Sequence, residues 1–148
     1  MAGRLILFKN SLRPIEGDSV APDFAGQIRV DHMGMLLDGF PFGGSSVIHH
    51  APIQLMIPFG PWVAELQARL YTGELLGTVD ITEVEQQKGE ADKLKVIRKM
   101  TLRETSISQM HHLWRGIETD ITVNLMFDAI VFESNAKLAE FNHQDAAG

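Results

Sequence analysis

One short helical stretch, set in a chain that otherwise alternates like strands, limits the fold more than any other feature. Phe59-Gly60-Pro61-Trp62 opens it and Tyr71-Thr72-Gly73 closes it. Pro61 suits a first helical turn, where a missing N–H costs nothing, and Gly73 suits the left-handed conformation that ends a helix. Between them Trp62, Leu66 and Leu70 recur at helical spacing, with Glu65 and Arg69 four apart as a charge pair. One helix among many strands predicts a mainly β fold, a barrel or sandwich whose sheet edges must be covered.

Along the chain, Arg4 to Lys9 reads as a first strand, apolar on both faces. Asn10 to Phe24 carries Pro14, Gly17, Asp18 and Pro22 and reads as a loop with a short strand at Ile15-Glu16. Gln27 to Leu37 reads as one strand with mixed faces. Asp38 to Ser46, rich in glycine and serine, reads as a loop, although Phe40 and Phe42 then have no regular element to carry them. Either both rings fold back onto their own domain or the loop contacts another subunit. Val47 to Ile57 is the next strand, with Pro52 marking an edge or bulge.

Past the helix, Glu74 to Gln87 reads as a strand with Gly77 as a bulge, followed by a polar turn over Gln86 to Asp92. Lys93 to Ile107 turns Leu94, Val96, Met100 and Leu102 one way, and Gln109 to Gly116 reads as a turn region. Asp120 to Glu133 is the last strand, with Ile121, Val123, Leu125 and Phe127 on one face and a bulge near Asp128-Ala129. From about residue 135 the chain reads as a frayed, flexible tail, helical around Ala136 to Phe141.

At 148 residues the simplest organisation is a single domain over 1–148, long enough to bury a sizeable core. A formal net charge of −6, with no Lys/Arg-rich block, argues against nucleic acid as a partner. The absence of cysteine excludes disulfides, thiolate metal sites and a cysteine nucleophile. Leu5-Ile6-Leu7-Phe8 is too short for a secretory signal, and no apolar stretch nears the ~20 residues that span a bilayer. The expectation is a soluble, cytoplasmically made protein with no membrane insertion.

Histidine is the one catalytic or metal-binding resource, at positions 32, 49, 50, 111, 112 and 143. His49 and His50 are neighbours on a strand and point to opposite faces, so they do not share a metal; the same holds for His111 and His112 if extended. Gly43-Gly44-Ser45-Ser46 is neither a nucleophile elbow nor a phosphate loop. Asp31, Asp80, Asp120 and Asp128 lie in strand-like segments, where carboxylates are usually solvated or paired. No catalytic, cofactor or metal site emerges, and the chain is read as a non-enzyme.

Taken in order, these segments resemble the haemolysin-coregulated protein (Hcp) family, the tube-forming component of bacterial type VI secretion systems. The resemblance covers roughly Leu5 to Phe132. It rests on Ile15-Glu16-Gly17, Ile28-Arg29-Val30, the glycine-rich long loop and His50-Ala51-Pro52-Ile53. After these come the Pro61-to-Gly73 helix with its exit Gly73-Glu74-Leu75, the polar hairpin, and Lys99-Met100-Thr101-Leu102. Val123-Asn124-Leu125-Met126-Phe127-Asp128-Ala129-Ile130 is similar to the family's closing strand. The helix entry is less polar than the family's common form, and the amino-terminal insert is proline-rich.

The resemblance implies a β-barrel of two packed sheets with one flanking α-helix, assembled into homohexameric rings that stack into a hollow tube. It implies sheath, spike and effector proteins as partners, no cofactor, and export through the apparatus without a signal peptide. It also implies that Leu36, Leu37, Asp38, Gly39, Phe40, Pro41, Phe42, Gly43 and Gly44 form a self-assembly loop reaching the neighbouring ring. Two other readings fit the same residues: a tail tube protein of a phage or related contractile particle, and a monomeric ligand-binding β-barrel.

Overall fold

The structure, a computed structural model, describes residues 4–21, 23–42, 45–86, 94–134 and 137–142, with backbone alone over 37–42, 45–50 and 137–142 and at 86. Its spine is one strand of 22 residues, β8 (Leu94–Arg115). Two later strands, β9 (Glu118–Met126) and β10 (Ala129–Ser134), run one after the other along the same side of β8. The pairs go from Arg115↔Glu118 to Ser106↔Met126, then from Arg103↔Ala129 to Arg98↔Ser134. The result is a long two-stranded ribbon that bends where both strands change sheet. At the bend Glu104 takes a left-handed conformation (φ 49°), and the Asp128 N–H donates to the Arg103 carbonyl at 3.0 Å.

The first half of this ribbon belongs to a sheet ordered β2-β1-β7-β8-β10-β11. Its other members are β1 (Arg4–Asn10), β2 (Ile28–Val30), β7 (Gly77–Gln86) and β11 (Lys137–Asn142). The second half belongs to a sheet ordered β8-β9-β6-β3, with β3 (His32–Gly34) and β6 (Ile53–Ile57). Asp31 joins the two sheets at the opposite seam, because β2 pairs with β1 and β3 with β6, and the Asp31 N–H donates to the Met56 carbonyl at 2.8 Å. Two sheets continuous at two seams make a barrel. The expected mainly β architecture is therefore what forms, all pairings being antiparallel.

Inside, Phe8, Ile28, Ile81, Met100, Leu102 and Ile130 from one sheet face Ile53, Leu55, Ile57, Ile121, Val123 and Leu125 from the other. The alternation expected at Ile121, Val123, Leu125 and Phe127 points inward as read. Each such aliphatic side chain contributes about 1.5–3 kcal/mol by leaving water.

The helix α1 (Pro61–Thr72) begins and ends as its sequence requires, with Gly73 left-handed at φ 72°. The Trp62 ring lies against Gly60, leaving no room for a side chain there, and its Nε1–H donates to the Pro58 carbonyl at 2.8 Å. Trp62, Val63 and Leu66 bury that face in the core. Arg69 departs from expectation. It does not serve as the surface partner of Glu65; it is 5% exposed and turns its guanidinium onto the carbonyls of Leu12, Arg13 and Leu75.

Other boundaries differ for physical reasons. Residues 27–37 are two short strands, since the chain crosses between sheets at Asp31. Ala51-Pro52 interrupts the expected strand over 47–57, leaving β5 (Ser45–His50) and β6. Ile15-Glu16 forms no strand; Asn10 Oδ1 accepts from the Ile15 N–H at 2.8 Å and holds the segment as a loop. Gln109 to Arg115 continues β8, because pairing with β9 outweighs its weak local pattern, and the turn falls at Gly116-Ile117. Val96 is exposed: the register shift between Glu83 and Val84 puts an extra residue into β8 and reverses its phase. Residues 137–142 are β11 on β10, not a helix, since β10 offers them an open backbone edge. The bulge at Gly77 is present, with φ 81° and a register shift to Val79.

Candidate self-assembly surface

The segment singled out for assembly is a β-hairpin and not an irregular loop. β4 (Leu37–Phe42) pairs with β5 from Leu37↔His50 to Phe42↔Ser45 and forms a two-stranded sheet separate from the barrel. Phe40, Phe42, Val47 and Ile48 favour extended backbone, and Pro41 is tolerable where only one side of a strand is paired. The Ala51 N–H closes the base on the Leu36 carbonyl at 3.2 Å, and Leu36 itself is exposed. Gly43 and Gly44 lie outside the described residues, as do the side chains of Phe40 and Phe42.

The second sheet has two edges without further strand pairing among the described residues, and α1 packs against β8. At one is β3, three residues long; at the other is residues 106–115 of β8, which pair only with β9. The long edge carries no proline or lysine, the residues that commonly discourage further pairing, and a single bulge near Ser108.

This β8–β9 ribbon ends in an apolar tip. Trp114 is 70% exposed and Ile117 fully so, with Leu113 beside them. The His112 ring stacks on Trp114 at 5.8 Å between centroids and 26° between planes, and Arg115 pairs with Asp120 at 3.2 Å. His111 and His112 are extended and fall on opposite faces, opposite Thr122 and Ile121 respectively. Among the described residues no three of His, Asp and Glu gather to hold a metal. No helix is long and apolar enough to cross a membrane, among the same residues.

Of the four carboxylates in strand-like segments, Asp80 and Asp120 have cationic partners. Asp80 accepts from Thr101 Oγ1 at 3.0 Å and lies 3.9 Å from Lys99 Nζ. Asp128 instead meets another carboxyl, that of Glu104, and both line an open cleft of about 610 Å³ at the ribbon's bend. The hydrogen bond that protonated Glu104 donates to the Asp128 carboxylate, and the repulsion of that charge, raise Glu104 above its ordinary 4.5. A raised value means the folded state holds this proton better than the unfolded chain. The contribution is complete below pH 4.5 and is lost as pH climbs through the raised value. Glu104→Gln, which imitates the protonated acid, is expected to melt like the parent at acid pH and at a higher temperature above that window. Parallel pH dependences for the two proteins would contradict this. No sequence signal marked this contact, because Glu104 and Asp128 meet only through the bend.

The sequence matches no protein-family model and no curated relative. The fold does match solved structures. One is an Hcp1 protein from the E. coli EAEC 042 pathovar, carrying two substitutions, with a TM-score of 0.79 at 13% identity over 95% of this chain and 97% of that one. A type VI secretion system effector from Yersinia pestis matches at 0.69 and 10% identity, over 93% of this chain and 98% of its own. The secreted protein Hcp3 from Pseudomonas aeruginosa matches at 0.67 and 14% identity, over 96% of this chain and 98% of its own. The chain therefore has the Hcp fold along nearly its whole length.

Proposed function

We propose that this chain is a structural tube subunit of a bacterial type VI secretion system, assembling into hexameric rings that stack into a hollow conduit. The observation that carries the reading is a full-length Hcp fold in which the hairpin stands as a separate sheet and one barrel sheet ends in an unpaired ten-residue edge. Copies placed side by side cover such edges, and heterologous contacts close into rings when the rotation per copy allows. Residues 36–44 form the stacking element between rings. Sheath, spike and effector proteins are the partners, no catalysis is involved, and the subunit is made in the cytoplasm and leaves through the apparatus. Electron microscopy of the purified protein is expected to show annular particles with a stain-filled centre. Small solid particles at every concentration would defeat the proposal.

A further inference from the structure

The hairpin and the apolar tip lie at opposite ends of the same sheet. In β6, Ile57 stands opposite Ile121, so the β8–β9 turn lies beyond that end; Gly34 stands opposite Gln54, so the hairpin departs from the other. Seven residues of β9 separate the two levels, Glu118 from Leu125, or about 23 Å at ~3.3 Å per residue. Phe59, also exposed, follows Ile57 at the tip end. The chain thus carries a projecting ribbon at one end and an uncovered apolar cluster at the other, which is the arrangement a head-to-tail repeat requires.

From this geometry we infer that the β8–β9 tip, centred on Trp114 and Ile117, is the acceptor for the hairpin of a second copy in the next ring. The occupant is a copy of this chain because the two surfaces match in chemistry. Residues 37–50 hold Phe40, Phe42, Val47 and Ile48 with one formal charge, at Asp38; of the charges nearest the tip, Arg115 and Asp120 pair with each other and Glu118 is exposed beside Ile117. Large apolar side chains clustered in the open mark a contact site, and tryptophan is among the residues that most often anchor one. The inference rests on the tube reading and adds to it the receiving half of the stacking contact.

The absence of cysteine gives a clean test. A Ser45→Cys, Ile117→Cys protein, oxidised with copper–phenanthroline, joins hairpin to tip in successive copies. It is expected to give a ladder of covalent multimers on non-reducing gels. Either single variant stops at dimers, and a control pairing Ser45→Cys with Val20→Cys, an exposed site elsewhere, gives at least tenfold less of the ladder. Annular particles are counted in each sample before oxidation. Rings without a ladder above that control overturn the acceptor assignment and leave the tube reading standing; absence of rings in the parent protein overturns both.

Discussion

An Arg69→Ala protein is expected to lose about 3–5 kcal/mol of unfolding free energy, read from urea or thermal melts. The guanidinium is buried and satisfies three carbonyls at once. Nη1 donates to Leu75 at 3.0 Å, and Nη2 donates to Leu12 at 2.9 Å and Arg13 at 2.6 Å. Those acceptors sit on the segments that leave β1 and enter β7, so one side chain ties the helix to both. Truncation strands three carbonyls, each costing about 1–3 kcal/mol where water cannot reach, and opens a void besides. Glu74, 3.7 Å from Arg69 Nε, keeps its pairing with Arg13 and limits the electrostatic part of the loss. Arg69→Lys should recover only a fraction, since a single ammonium lacks the planar fork that spans separate acceptors. A loss under about 1 kcal/mol for Arg69→Ala would mean that water already serves these carbonyls.

Replacing Phe40 and Phe42 together with aspartate is expected to abolish stacking while the separated rings persist and melt at the parent temperature. Each aromatic side chain contributes about 1.5–3 kcal/mol when buried in a contact, before ordering costs. Two of them at each hairpin amount to about 3–6 kcal/mol, a factor of roughly 10²–10⁴ in affinity, and two introduced carboxylates add desolvation against it. The effect multiplies around a ring, because every subunit presents the same hairpin. The readout is tube length by electron microscopy beside a melting curve. Loss of the folded subunit itself would show that both rings pack inside their own barrel.

What local chemistry decides is legible in the sequence. Pro61 and Gly73 bracket the helix, Gly77 marks the bulge, and Ile121 to Phe127 alternate as the inner face of β9. Changes of sheet were only partly legible: the shift of apolar phase marks an irregularity near Asp128-Ala129, where β9 gives way to β10, but nothing at Asp31 or Glu104 resembles a breaker, although the chain turns a corner at each. Glycine or proline announces a turn, whereas these corners are imposed by two sheets closing on one another. The strand at Lys137–Asn142 was obscured likewise, since its Leu, Ala and Glu suit a helix and only the exposed side of β10 makes it extend. Arg69 read as a surface charge because spacing shows that a residue shares a face with Glu65 but not how deeply that face is buried. In the proposed assembly element the apolar content of 36–44 is legible in the sequence, but its hairpin form is not. Trp114 reads as part of a turn over Gln109 to Gly116, and nothing there marks it and Ile117 as the end of a long exposed ribbon.

Sedimentation equilibrium at micromolar concentration weighs the particle directly. A self-completing barrel sediments as a closed oligomer near six times the 16.5 kDa chain, with larger stacks as concentration rises. A single species at 16.5 kDa across the whole range would contradict it, for the open strand and the projecting hairpin would then belong to a monomer.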